Sequence, residues 1–70
     1  MMPLAYADLN EEYVIKKIGG NQELKLHLEN LGFVTGGRIM VMNSLGGNII
    51  VNVKDTRVAI SEEMAKKIMV

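Results

Sequence analysis

The chain has 70 residues, enough for one domain over residues 1–70, and its 49% hydrophobic content excludes an intrinsically disordered protein. The absence of cysteine excludes disulfides and thiolate metal sites. Eight basic side chains balance eight acidic ones, which argues against a dedicated nucleic-acid binder, because phosphate neutralisation supplies most of the affinity of such proteins.

The first half of the chain predicts one strand followed by one helix. Tyr13–Ile18 is rich in residues that favour strands, and Gly19-Gly20 ends this segment. Asn21 offers an N-cap for a helix over about 22–31, and Gly32 fits the left-handed position that closes such a helix. Three leucines at helical spacing should face the core: Leu24, Leu28 and Leu31.

The second half predicts a meander of three antiparallel strands at 38–43, 49–54 and 56–60. Glycines in Leu45–Asn48 favour a hairpin connection, and Asp55 begins the next turn. Alternation along the three strands predicts the core side chains Ile39, Val41, Ile49, Val51, Val53, Val58 and Ile60.

A short helix is predicted at the end of the chain, with Ser61 as its N-cap. Acidic residues follow the cap and lysines come later, in the order that the helix dipole favours. Its expected apolar face consists of Met64, Ala65, Ile68 and Met69. Val70 could add a last strand residue beside the first strand.

Several glycine turns and apolar segments follow one another along the chain in a characteristic order. They are Pro3-Leu4, Ile18-Gly19-Gly20, Leu28, Leu31-Gly32, Gly36-Gly37, Ile39-Met40-Val41, 45–51, 57–60, Ala65 and Ile68. In order and spacing these features resemble the ferrous iron transport protein A (FeoA) family over nearly the whole chain. The resemblance implies a mainly β fold, a small SH3-like antiparallel barrel with one helix after the first strand and a short C-terminal helix.

The same resemblance implies a non-catalytic accessory protein of ferrous iron uptake that binds the cytosolic part of an FeoB-type membrane transporter. A cytoplasmic location is expected, because the first eight residues lack the basic start and long apolar stretch of a signal peptide. The protein would then reach the inner face of the membrane only through its partner. Near-zero net charge provides little electrostatic repulsion against self-association, so the sequence is compatible with a homo-oligomer as well as a monomer.

Two alternative functions are a nucleic-acid-binding small barrel and an iron-responsive regulatory barrel, since one fold hosts many functions. Nucleic-acid binding would require clustered lysines and stacking aromatic side chains. The chain has only three aromatic residues, Tyr6, Tyr13 and Phe33, and two of them flank the first predicted strand. The sequence therefore favours the accessory protein.

Neither a catalytic site nor a cofactor or metal site is predicted. His27 is the single histidine, and with Glu23 it could supply only half of a metal site. Ser61 is expected to cap a helix, and no histidine and carboxylate partners accompany it. Arg38 and Arg57 fall within predicted strands, whereas an arginine that acts in trans on a nucleotide must be mobile and exposed.

The candidate partner contact is centred on Leu26, which lies about 200° from Leu24 on the helical wheel and so opposite the core stripe. Leu26 is either an ordinary exposed leucine or the anchor of a protein contact that Phe33 continues. Met40 and Met42 point to the side of their strand opposite Ile39 and Val41. They would either pack beneath a helix or form an adaptable contact surface.

Overall fold

The computed structural model describes residues 1–70 and consists mainly of antiparallel strands, which confirms the predicted fold class. In chain order its elements are a 3₁₀ helix (Leu4–Tyr6), β1 (Glu12–Val14), β2 (Lys17–Ile18), α1 (Gln22–Asn30), β3 (Arg38–Leu45), β4 (Asn48–Val53), β5 (Thr56–Ser61), α2 (Glu62–Ala65) and β6 (Ile68–Met69). Neither α-helix is long and apolar enough to cross a membrane.

The strands form two sheets around one core. The larger sheet has the order β1-β3-β4-β5, and the smaller one pairs β2 with β6. The predicted meander is confirmed, because β3, β4 and β5 pair antiparallel in sequence order and align Val41, Val51 and Val58 across the sheet. Alternation buries Ile49, Val51 and Val53 of β4 on one face, as the sequence predicts.

The segment Tyr13–Ile18 is not one strand, as the sequence predicted, but two. β1 pairs with β3, whereas β2 pairs with β6 in the other sheet. Ile15 lies at the corner with no exposed surface, and its N–H donates to the Gly37 carbonyl at 2.9 Å. The next amide, that of Lys16, donates to the Met69 carbonyl at 2.8 Å. The run breaks here because its two halves pair with different strands.

Helix α1 begins and ends at its predicted capping residues. Asn21 Oδ1 accepts a hydrogen bond from the Leu24 N–H at 2.8 Å, and Gly32 has φ +105°. Leu28 is fully buried, while Leu24 and Leu31 are partly buried and pack against the core. The predicted core stripe is therefore present, with Leu28 as its buried member.

The final helix is shorter than predicted. Ser61 Oγ caps α2 by accepting from the Met64 N–H at 3.2 Å, but the helix ends at Ala65. Ile68 and Met69 do not lie on a helix, because they form β6 against β2. A C-terminal strand beside the first strand segment was expected, but at Val70; this residue instead exchanges backbone hydrogen bonds of 2.8 Å with Met2.

The core contains six of the seven strand residues predicted for it, and Val58 is partly buried against it. Its members are Leu4, Ile15, Leu28, Phe33, Ile39, Val41, Ile49, Val51, Val53, Ile60, Ala65, Ile68 and Val70. None of the buried side chains is polar. A charge introduced here would therefore meet no side-chain partner.

Two hairpin turns of the same length differ in their residues. Gly46-Gly47 joins β3 to β4 with φ values of +57° and +84°, and Lys54-Asp55 joins β4 to β5 with +51° and +59°. Positive φ at both central positions is the pattern of the type I′ turn, which favours glycine at the second. Asp55 therefore holds a backbone conformation that costs a side chain free energy.

Asp55→Gly is expected to stabilise the protein by about 0.5–1 kcal/mol, because glycine adopts positive φ without the clash that Cβ causes. For a domain of this size the melting temperature should rise by about 2–8 °C. Gly47→Asp is the matched control at the same turn position of the other hairpin, where a Cβ meets no atom within 4 Å. It should lower the melting temperature, and equal responses of the two variants would contradict the prediction.

Candidate partner-binding surface

Helix α1 presents almost all of its side chains to solvent. Leu28 is its only buried residue, and Leu26 on the opposite side is 56% exposed. Since Leu28 and its partly buried neighbours supply the packing of the helix, Leu26 is not needed for folding. The structure thus places Leu26 on the exposed surface, as the helical spacing predicted.

The side chains around Leu26 are polar or charged. Glu23, Lys25, Glu29 and Asn30 are all exposed on the same helix. None of them forms an ion pair, because the single salt bridge of the chain joins Lys66 Nζ to Glu62 Oε1 at 3.9 Å. Leu26 is therefore an isolated apolar side chain within a polar rim, the arrangement found around many interface anchors.

Phe33 does not continue this surface, and the prediction that it extends the Leu26 contact is wrong. Its side chain has no exposed surface and belongs to the core. The Gly32 N–H donates to the Glu29 carbonyl at 3.0 Å, and the Phe33 N–H donates to the Leu28 carbonyl at 2.9 Å. This is a Schellman motif, which turns the chain back so that the residue after the glycine packs against the helix.

Met40 and Met42 lie half-buried on β3, and neither packs against the core. Met40 lines an open groove of about 380 Å³ with strand and turn residues that include Arg38 and Lys54, so it does not lie beneath a helix. The pairing of β3 with β4 shifts register between Val41 and Asn43, which leaves Met42 without a partner residue. Met40 thus lies on the outer side of the larger sheet, and Met42 is half-buried at the register shift.

The remaining candidates, the Glu23–His27 pair and the two arginines, do not come together in one site. Glu23 and His27 line a shallow pocket of α1 with Asn21 and Leu24, and no three side chains of histidine, cysteine, aspartate or glutamate come close enough to hold a metal ion. Arg38 on β3 and Arg57 on β5 are both exposed, on the two strands that flank β4.

A cleft beside α1 was not anticipated from the sequence. It has a volume of about 530 Å³, and the lining residues that reach its surface are Lys16, Lys17, Ile18, Lys25, Glu29, Val34 and Thr35. We call it the lysine cleft. Its lysines come from β2, from the residue before β2 and from α1, so only the pairing of β2 with β6 and the packing of α1 bring them together.

Comparison with known protein sequences identifies one family over nearly the whole chain. The family model described as the FeoA domain matches residues 2–70. A protein of Methanocaldococcus jannaschii named "Putative Fe(2+) transport protein A" is 34% identical over 70 residues, which are 100% of this chain and 85% of that protein.

Two solved structures share the fold over nearly the whole chain. The crystal structure of an "Iron Uptake Regulatory Protein (FeoA)" is 28% identical, with a TM-score of 0.89 over 97% of this chain and 90% of that one. Stenotrophomonas maltophilia FeoA complexed with zinc, described as an SH3 domain protein, is 25% identical, with a TM-score of 0.84 over 99% and 88%. The expected SH3-like architecture is therefore confirmed, although β5 pairs only with β4 and the two sheets do not join into one closed ladder.

Proposed function

The chain belongs to the FeoA family, and from this we propose that it is a non-catalytic, cytosolic accessory protein of ferrous iron uptake that binds an FeoB-type membrane transporter. The name of the Methanocaldococcus jannaschii relative supports a role in Fe²⁺ transport. The description of the Stenotrophomonas maltophilia protein as a candidate "Ferrous Iron Transport Activating Factor" supports action on a transporter. The contact is made with the cytosolic part of the transporter.

The observation that carries this proposal is the exposure of Leu26 on a helix whose ends are both capped. An apolar side chain on a rigid helix can enter a partner's pocket at a small entropic cost. Interfaces concentrate their binding energy in a few such anchors, and polar neighbours such as Glu23, Glu29 and Asn30 exclude water around them. Leu26 is accordingly the centre of the transporter contact.

Leu26→Glu is expected to abolish co-purification of the transporter with the tagged chain. Loss of an interface anchor costs at least about 2 kcal/mol of binding, which is about a thirtyfold loss of affinity. Stability should change by no more than about 0.5 kcal/mol, because the side chain is exposed. Detergent-solubilised membranes that contain the transporter provide the binding assay, and thermal unfolding followed by circular dichroism provides the stability.

Leu45→Glu is the matched control, since Leu45 is 69% exposed but lies beside the β3–β4 turn. It should retain the transporter. A large loss of stability in Leu26→Glu would show that Leu26 supports the fold rather than the contact. Full retention of the transporter by Leu26→Glu would move the interface elsewhere, and Met40→Glu and Met42→Glu would then test the half-buried methionines of β3.

A further inference from the structure

The lysine cleft gathers half of the lysines of the chain, three of six, although the net charge of the chain is zero. Its walls are held by backbone hydrogen bonds. The Lys16 N–H donates to the Met69 carbonyl at 2.8 Å, and the Lys25 N–H donates to the Asn21 carbonyl at 3.0 Å. Backbone hydrogen bonds therefore hold Lys16 and Lys25 in place, Lys17 lies in β2, and all three side chains reach solvent.

The charge of the lysine cleft is not neutralised within the chain. Three lysines face one acidic lining residue, Glu29, which leaves a surplus of two positive charges. The single salt bridge of the protein lies elsewhere, between Glu62 and Lys66, so no cleft ammonium is within 4.0 Å of a carboxylate oxygen. Such a surplus attracts an anionic partner and raises its rate of association.

The lining of the cleft combines positive charges with apolar side chains. It contains no arginine, the side chain that binds carboxylate or phosphate in a bidentate manner. Asn21 Oδ1 accepts the Leu24 N–H at the start of α1, and neither residue lines the cleft, so the helix N-terminus is not part of it. Lysine ammoniums act as point charges toward carboxylate and phosphate alike, and the partly buried lining residues Ile18 and Val34 favour a ligand that also carries apolar groups.

We propose that the lysine cleft binds an acidic segment of a partner protein in which aspartate or glutamate residues flank an apolar one. The inference rests on the proposed function, because it describes the chemistry of the transporter segment that meets this chain. On the helical wheel Lys25 lies about 100° from Leu26 and Glu29 about 60° from it, so the cleft opens beside the Leu26 surface. One segment can therefore cross from the cleft to Leu26.

The test uses the isolated chain and a fluorescein-labelled synthetic peptide in which glutamate pairs flank a central leucine. A second peptide has glutamine in place of each glutamate. We expect the glutamate peptide to bind about tenfold more tightly, since each exposed lysine–carboxylate pair contributes a factor of about 1.4 to 5 and three such pairs act together. Fluorescence anisotropy measures both affinities, and the difference should vanish near 1 M salt, where the screening length is about 3 Å.

Lys16→Gln/Lys17→Gln/Lys25→Gln should weaken binding of the glutamate peptide about tenfold, as removal of three exposed pairs predicts. The matched control, Lys54→Gln/Lys66→Gln/Lys67→Gln, removes the same charge from residues outside the cleft and should bind as the wild type does. Both triple variants should melt like the wild type, because all six lysines are exposed.

Equal weakening by the two triple variants would overturn the proposal, because net charge rather than the cleft would then govern binding. Competition by inorganic phosphate or by a short oligothymidylate that binds more tightly than the peptide would also overturn it in favour of a phosphate site. Absence of peptide binding to the wild type overturns the cleft proposal alone. The transporter contact is tested separately by Leu26→Glu in membranes.

Discussion

Val51→Asp is expected to abolish cooperative unfolding of the protein. Val51 lies in β4, between β3 and β5, and its side chain has no exposed surface. No polar side chain is buried in the core, so the new carboxylate would find no hydrogen-bond donor among its side-chain neighbours. A buried charge without a partner costs about 3–5 kcal/mol. A domain of this length has only about 3–10 kcal/mol of stability in total.

Asn52→Asp is the control for Val51→Asp, because it adds the same charge one residue further along β4, on the opposite face. Asn52 lines the open groove with two basic side chains, Arg38 and Lys54, and two acidic ones, Glu12 and Asp55, and a carboxylate there is solvated. This variant should unfold cooperatively at a melting temperature close to that of the wild type. Circular dichroism against temperature measures both variants, and a normal melt for Val51→Asp would contradict the observed register of β4.

The sequence predicted the meander well because its information is local. Strict alternation in β4 reports which face is buried, and glycine pairs mark the connections. The capping residues of α1 and α2 were equally readable, since Asn21 and Ser61 bond to amides three residues away. In each case the deciding interaction joins residues close in sequence.

The parts that were mispredicted depend on contacts between distant residues. The break at Ile15 exists because β1 pairs with β3 and β2 pairs with β6, and no local pattern records which strand lies beside which. Met69 was predicted on a helix because it follows lysines at helical spacing, yet it pairs with Lys17 in the first third of the chain. Local periodicity cannot distinguish a short helix from a strand of two residues that a distant partner holds.

The candidate partner-binding surface was also predicted only in part. Helical spacing was sufficient to put Leu26 on the exposed side of α1, where it is 56% exposed. The lysine cleft was missed because Lys17 and Lys25 meet only through the packing of separate elements. The burial of Phe33 did have a local signal, since an apolar residue directly after a helix-ending glycine is typical of the Schellman motif.

Phe33→Ala is expected to destabilise the protein by about 3–5 kcal/mol, the usual cost of removing a buried phenylalanine ring. Its ring is the largest fully buried side chain, and it follows the glycine that ends α1, so its loss leaves a cavity in the core. This loss approaches the total stability of about 3–10 kcal/mol. At about 4–8 °C per kcal/mol, the melting temperature should fall by at least about 12 °C.

Two further variants separate the structural role of Phe33 from a contact role. Phe33→Leu retains most of the buried apolar volume and should recover a large part of the lost stability. Leu26→Ala removes an exposed side chain and should change stability by no more than about 0.5 kcal/mol. Denaturant titrations of the three variants give the free energies of unfolding. If Phe33→Ala unfolded like the wild type but lost the transporter, Phe33 would belong to the contact surface and its burial in the core would be wrong.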